Sequence, residues 1–153
     1  MMNWILLVMA AIVAVVLAML VGGAMSPRER VATRALTTPC QAADLFARLR
    51  AADGPPRWCA DLPAMRVVHE SPPTTVQFEL VTDDGAPMGT WTVHVTEMAQ
   101  GSRATIVEAV AVPNLLVRFV RSIGGNGARP ERFLLAVARE LGVPATVDTP
   151  TSS

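Results

Sequence analysis

Few side chains in this sequence are of the kinds that carry out chemistry, and they are spread thinly along the chain. His69 and His94 are its only histidines, and neither has a second histidine, a cysteine or a carboxylate at ligand spacing on the same predicted element. The sequence also lacks a nucleophile elbow, a phosphate-binding loop and a zinc-protease motif. We therefore predict no metal site, no cofactor and no recognisable catalytic set.

Glu108 is the one acidic residue whose position suggests an interior role. It has the same strand parity as Ile106 and Val110, so it points into the apolar interior if those residues do. A carboxylate buried there could act as an acid or a base. Two alternatives stay open and are favoured over catalysis: an ion pair with Arg118 or Arg121 on a following helix, or the opposite parity.

His94 lies in a stretch that alternates between polar and apolar residues. It has the parity of Thr92, while Trp91 and Val93 have the other parity. Such alternation is typical of a strand with one apolar and one polar face. We interpret His94 as a solvent-facing strand residue rather than a general base.

A set of large apolar side chains is predicted to line the concave side of a sheet and the helices packed there. As core residues they need no further explanation, and as a ligand pocket they would form its lining. The sequence leaves both interpretations open. The set consists of Phe78, Leu80, Trp91, Val93, Ile106, Phe119, Phe133 and Val137.

Charge and composition narrow the class of partner. The 153 residues include 13 basic and 13 acidic side chains, so the formal net charge is zero. A balanced chain has no overall electrostatic attraction to nucleic acid, and we expect no such partner. Once an apolar leader is set aside, the remaining length is enough for one domain with a core of its own.

The leader is predicted to be a membrane anchor covering residues 1–26. From Trp4 to Met25 every residue is uncharged, and as a helix this stretch measures about 33 Å, which matches the hydrocarbon core of a bilayer. The alternative is a cleaved signal peptide with a small-residue site at 22–24. No basic residue precedes the run, and it is longer than a usual signal core, so we favour the anchor.

The residues after the span predict its orientation. Arg28, Arg30 and Arg34 follow it, offset only by Glu29, whereas no charged side chain precedes it. Positive charge is retained on the cytoplasmic side, so the domain should lie there. In that reducing compartment the two cysteines, Cys40 and Cys59, should be free thiols; a loop-closing disulfide between them is the alternative if the orientation is wrong.

Periodicity and turn residues predict an α+β domain over residues 27–144. Helices are expected at Gln41 to Arg50, at Asn114 to Ile123 and from near Pro130 to Leu141. A Thr-, Ser- and Pro-rich tail, 145–153, is expected to be disordered. Strands are predicted at 28–38, 66–70, around 76–80, around 91–96 and at 103–112.

Several short stretches resemble bacterial membrane-anchored proteins of the SRPBCC, or START-like, superfamily, often described as polyketide cyclase/dehydrase-like. The resemblance runs from the anchor to about Leu141. The stretches are Pro55-Pro56-Arg57-Trp58, Gly89-Thr90-Trp91-Thr92-Val93, and Arg103-Ala104-Thr105-Ile106-Val107-Glu108 leading to Asn114-Leu115-Leu116-Val117-Arg118-Phe119-Val120.

The resemblance implies a helix-grip fold, in which an antiparallel sheet wraps around the C-terminal helix and encloses a cavity for hydrophobic ligands such as lipids or polyketides. It also implies a single-pass protein of the bacterial inner membrane. One departure is visible, because members usually have about two more strands in the interval that here is only Cys59 to Met65. A sheet shortened in this way would enclose a smaller space, or a partner would complete it.

Three functions are compatible with these expectations. The first is a non-catalytic module that binds a hydrophobic small molecule or lipid near the bilayer. The second is an enzyme of the cyclase or dehydratase kind, with Glu108 as its only candidate acid or base. The third is a scaffold whose sheet edge recruits a protein partner that the sequence does not identify.

Overall fold

The computed structural model describes residues 2–25, 29–51, 62–111, 114 and 128–150. The chain divides into two units, Met1–Arg30 with Ala111–Asn126, and Val31–Val110 with Gly127–Ser153. The described elements are, in order, α1 (Met2–Met25), β1 (Glu29–Thr38), α2 (Ala42–Arg50), β2 (Ala64–Ser71), β3 (Thr75–Val81), β4 (Pro87–Met98), β5 (Gly101–Ala111), α3 (Ala128–Leu141) and β6 (Thr146–Asp148).

Helix α1 is apolar around its whole circumference. Its 22 residues Trp4–Met25 are long and apolar enough to cross a membrane. The predicted N-terminal apolar helix is therefore confirmed. Length and composition of this kind are shared by membrane anchors and signal sequences.

The second unit is built on a six-stranded antiparallel sheet with the order β2-β3-β4-β5-β1-β6. Strands β2 to β5 follow one another as antiparallel neighbours, because each connection between them is a short turn. Strand β1 lies on the far side of β5. The predicted α+β class is confirmed, and all five predicted strands are present.

One face of the sheet is buried and the other is partly solvated. Strand β5 alternates strictly, because its even-numbered residues from Ser102 to Val110 are buried and its odd-numbered residues from Gly101 to Ala109 are half-buried. Strands β3 and β4 alternate in the same way around Phe78 and Trp91. This period of two follows from the pleat of a strand. We call the buried side, which carries Phe78, Trp91 and Ile106, the interior face.

Helices α2 and α3 contribute apolar stripes to the same core. Leu45 and Leu49 of α2 are fully buried, and α2 contacts β3, β4 and α3. Phe133 and Val137 of α3 are also fully buried in this core. Spacings of three and four residues place such side chains on one side of a helix. Both amphipathic helices predicted from the sequence are therefore confirmed.

Helix α3 ends where the sequence predicts, at a glycine. Gly142 has a positive φ of 66°. The amide of Gly142 donates to the carbonyl of Arg139 at 3.1 Å, and the amide of Val143 donates to that of Ala138 at 3.2 Å. These two bonds form a Schellman motif, which satisfies the last carbonyls of the helix.

The prediction of a disordered tail is wrong for residues 146–148. They form β6, which pairs antiparallel with β1 through Leu36↔Val147 and its neighbours. Val147 is half-buried and packs against the core, so apolar contact and the free edge of β1 together order this short segment. The predicted helix Asn114 to Ile123, apart from Asn114 itself, lies outside the described residues.

Candidate functional site

The candidate site begins with two residues that face each other across strands β4 and β5. The register pairs Trp91 directly with Glu108. Directly opposite residues in an antiparallel pair project from the same face of the sheet. Since Trp91 belongs to the interior face, Glu108 does too. The alternative in which Glu108 has the opposite parity is therefore excluded.

A hydrogen bond joins the two side chains. The indole Nε1 of Trp91 donates to the carboxylate Oε1 of Glu108 at 3.0 Å. Trp91 has no exposed surface, and Glu108 retains an exposed fraction of 9%. A buried indole N–H needs an acceptor, so this bond meets the requirement of Trp91 and orients the carboxylate.

Aromatic contacts connect this pair to helix α3. The rings of Trp91 and Phe133 are 5.2 Å apart between centroids, with planes tilted by 56°. The ring centroids of Phe78 and Phe133 are 6.4 Å apart, with planes at 69°, which is an edge-to-face arrangement. Rings at such distances and angles attract one another beyond simple burial. The aromatic cluster of Phe78, Trp91 and Phe133 thus attaches α3 to the sheet beside Glu108.

The structure brings together all the described members of the predicted lining. Each of them is completely buried, and each belongs to one continuous apolar cluster. Phe119 lies outside the described residues. Their role in binding stays a prediction, because burial is also what a core requires. These residues are Phe78, Leu80, Trp91, Val93, Ile106, Phe133 and Val137.

Helix α2 also contributes side chains to the interior, although none of its residues belongs to the predicted lining. Leu45, Phe46 and Leu49 join the same cluster as the lining residues. Their helical spacing was the available signal, since an amphipathic helix preceding the sheet must bury its stripe somewhere. What the spacing did not show is that the stripe faces β3 and β4.

Glu108 accepts few hydrogen bonds from the described part of the chain. Among the residues that the structure describes, Trp91 is its only donor. A carboxylate has roughly four acceptor positions on two oxygens. The arginines proposed as ion-pair partners, Arg118 and Arg121, lie outside the described residues. The carboxylate therefore has acceptor capacity that no described side chain uses.

The other candidate residues are on the outside of the domain. His69 and His94 are exposed, and Nδ1 of His94 lies 3.2 Å from the hydroxyl of Thr75. Within the described ranges, no group of three His, Cys, Asp or Glu residues is placed to hold a metal ion. Cys40 is a half-buried free thiol, and Cys59 lies outside those ranges.

Ion pairs occupy the surface around the core. Arg48 of α2 pairs with Glu140 of α3, and Arg50 Nε lies 2.5 Å from Glu70. Every described ion pair has at least partial solvent exposure on both partners; the others are Arg34–Glu131, Arg66–Glu79 and Arg103–Asp148. Exposed pairs of this kind contribute about 0–1 kcal/mol each. They connect neighbouring elements and supply no positive charge to the interior face.

The fold resembles that of solved bacterial proteins. Protein MLL2253 from Mesorhizobium loti superposes with a TM-score of 0.52 at 13% identity, over 75% of this chain and 97% of that one. Ms6760 from Mycobacterium smegmatis gives 0.47 at 13% identity, over 75% and 91%. CalU16 from Micromonospora echinospora gives 0.46 at 10% identity, over 74% and 80%.

No protein-family model and no curated protein matches the sequence. At 13% identity, the similarity to the Mesorhizobium loti protein concerns the fold alone. It extends over almost the whole of that protein, so this chain carries a comparable α+β domain.

Proposed function

We propose that this protein is a membrane-tethered START-like protein that binds a hydrophobic small molecule or lipid without catalysis. The observation that carries the proposal is the composition of the interior face. Apolar side chains surround Glu108, a polar group that Trp91 orients. Ligand sites for small molecules are mostly apolar, with a few polar groups that fix orientation.

A helix-grip arrangement is part of this proposal. The contact of Phe133 with Trp91 and Phe78 supports it, because it packs the C-terminal helix against the buried side of the sheet. The lining residues are closed to solvent, so a ligand enters only when some of these contacts separate. Enclosure of this kind predicts slow release and retention of the ligand through purification.

The retained ligand is the test. We expect native mass spectrometry of the full chain in detergent to show a bound lipid or small molecule. Val93→Phe fills the interior face and should reduce the bound fraction, whereas Thr92→Phe, one residue away on the other face, should not. Absence of any adduct in the wild type, or equal retention by the two variants when both fold, would contradict the proposal.

The membrane tether is the second part of the proposal. We assign α1 as an uncleaved anchor in the bacterial inner membrane, with the domain in the cytoplasm. The uncharged span and the arginines that follow it, Arg28, Arg30 and Arg34, support this orientation. Protease added outside right-side-out vesicles should leave the domain intact. A mature chain that begins near Met25 would show that α1 is a signal sequence.

A cyclase- or dehydratase-type enzyme is the second candidate function. The specific observation in its favour is a carboxylate, Glu108, that lies within the interior and is oriented by a donor. Such a group can exchange a proton with a substrate bound beside it. Unchanged turnover of cyclisable polyketide-type substrates by Glu108→Gln would exclude Glu108 as the catalytic acid or base.

A further inference from the structure

We infer that the ligand presents a hydrogen-bond donor, such as a hydroxyl or a protonated amine, to Glu108, and that a free carboxylate is disfavoured. The inference rests on the proposed function and names the chemical class of its ligand: an apolar body with a donor head. Three observations on the described residues lead to it.

The first observation is that Glu108 is the polar group of the interior that remains available. Among the described residues, the buried polar side chains are Thr38, Ser102 and Glu108. The hydroxyl of Ser102 donates to the carbonyl of Cys40 at 2.8 Å, and that of Thr38 accepts from the amide of Cys40 at 3.4 Å. Those two hydroxyls therefore serve the turn between β1 and α2.

The second observation is the incomplete hydrogen bonding of Glu108 itself. Its Oε1 accepts one bond from Trp91, and no other described residue donates to the carboxylate. A carboxylate oxygen that is mostly withdrawn from water forms a strong hydrogen bond with a further donor. A ligand that donates to the remaining acceptor positions adds such a bond. A ligand that offers only acceptors does not.

The third observation is the charge of the surroundings. The described ion pairs engage arginines on the domain surface, and the buried cluster around Glu108 is apolar. Two negative charges close together repel more strongly where water is excluded than in solution. An anionic head beside Glu108 therefore meets repulsion with no described cation to offset it, whereas a donor forms a charge-assisted hydrogen bond.

The geometry also fixes one oxygen of the carboxylate. Trp91 holds Oε1 and is fully buried, while Glu108 keeps 9% of its surface exposed. On the same strand, Ile106 has no exposed surface. Among the described buried polar side chains, Glu108 thus keeps the largest exposed fraction. Its orientation is set before the ligand arrives, which lowers the entropy lost on binding.

The experiment compares probes that differ only in the head group. Hexadecanol, hexadecylamine, palmitate and hexadecane are offered in pairs to the full chain in detergent, and native mass spectrometry measures the bound ratio. We expect wild-type protein to favour the alcohol and the amine over palmitate by about tenfold or more, the ratio expected when a single charge-assisted hydrogen bond separates two ligands.

Variants of Glu108 test whether this residue causes the preference for the alcohol and the amine over palmitate. Glu108→Gln removes the charge but keeps an oxygen acceptor for Trp91, so palmitate binding should rise and the amine should lose its advantage. Glu108→Leu should make the alcohol no better than hexadecane, and the Gln variant carries the test if the Leu variant does not fold. Glu79→Gln, the same change on the outer face, is the matched control and should keep the wild-type order.

The outcomes distinguish this inference from the proposed function. Equal binding of alcohol and palmitate by the wild type would overturn the inference while leaving a hydrophobic binding protein. A donor preference that survives unchanged in both Glu108 variants would also overturn it. Failure of all four probes to bind would overturn the proposed function and this inference together.

Discussion

The two faces of strands β3 to β5 each carry a titratable side chain with one hydrogen-bonding neighbour. On the interior face, Trp91 donates to Glu108 at 3.0 Å. On the outer face, the hydroxyl oxygen of Thr75 lies 3.2 Å from Nδ1 of His94. Both pairs are directly opposite one another on adjacent antiparallel strands. Distance and register are thus closely similar, and burial is what separates the two pairs.

Burial changes what such a hydrogen bond does. An exposed pair exchanges its partner for water at little cost, so the Thr75–His94 contact contributes little to stability. A buried donor without its acceptor has no water to replace it. The same geometry therefore gives the Trp91–Glu108 bond a structural role in the core and leaves His94 as a surface residue. Alternate residues of a pleated strand separate two chemical environments within one sheet.

The largest loss of stability is expected when Trp91, the donor of the interior pair, is truncated. Trp91→Ala should lower the free energy of unfolding by about 3–5 kcal/mol, because the ring is fully buried and packs against Phe133. Urea denaturation of the full chain in micelles, followed by far-UV circular dichroism, measures the difference. Thr92→Ala is the control on the outer face. If Trp91→Ala lost no more stability than the control, burial would not explain the difference between the two faces.

A smaller loss of stability is expected when only Glu108, the acceptor of the Trp91 hydrogen bond, is replaced. Glu108→Leu should lower the free energy of unfolding by about 1–3 kcal/mol, because the indole N–H of Trp91 loses the acceptor that the described residues provide inside the core. Glu108→Gln should lower the free energy of unfolding by less, since the glutamine amide oxygen can still accept the hydrogen bond from Trp91. The same denaturation measurement applies. A Leu variant more stable than the wild type would show that desolvation of the carboxylate outweighs the hydrogen bond.

The double variant Trp91→Phe with Glu108→Leu measures how much the two residues stabilise the domain through their shared hydrogen bond. If the two side chains stabilise the domain through their shared bond, the double loss should be smaller than the sum of the single losses by about 1 kcal/mol. Additive losses would mean that each residue acts through its own packing. The aromatic contact with Phe133 is retained in Trp91→Phe, so the cycle reports mainly on the indole N–H.

The smallest effect is predicted on the outer face. Thr75→Val removes the hydroxyl beside His94 and should change the free energy of unfolding by no more than about 0.5 kcal/mol, because solvent replaces the lost partner. A change above about 1 kcal/mol would mean that burial does not distinguish the two pairs, since a surface hydrogen bond would then equal the interior one.

Much of this architecture is predictable because its signals are local. The alternation of Phe78 and Leu80 with their polar neighbours predicts a half-buried strand, and the stripe through Phe133 and Val137 predicts an amphipathic helix. Each signal spans only a few residues. The structure confirms both.

Other features escape prediction because they depend on distant partners. Val147 is a single apolar residue in a polar tail, and only its pairing with Leu36 of β1 makes the segment a strand. Gly101 is similar. Its φ is 114°, and a Cβ there would lie 2.1 Å from the carbonyl oxygen of Thr38, so the approach of β1 requires glycine. The sequence shows a glycine in a turn but not the strand that it meets.

Local patterns in the sequence are enough to predict the apolar N-terminal helix, strands β1 to β5, helices α2 and α3, and the parity shared by Glu108 with Ile106. Those properties follow from hydrophobicity and from periods of 2 and 3.6 residues, which are local. Three features become visible only in the folded domain: Glu108 lies opposite Trp91, Phe133 packs against Trp91, and β6 pairs with β1. Register and packing arise from contacts between residues far apart in the chain, and no local period encodes them.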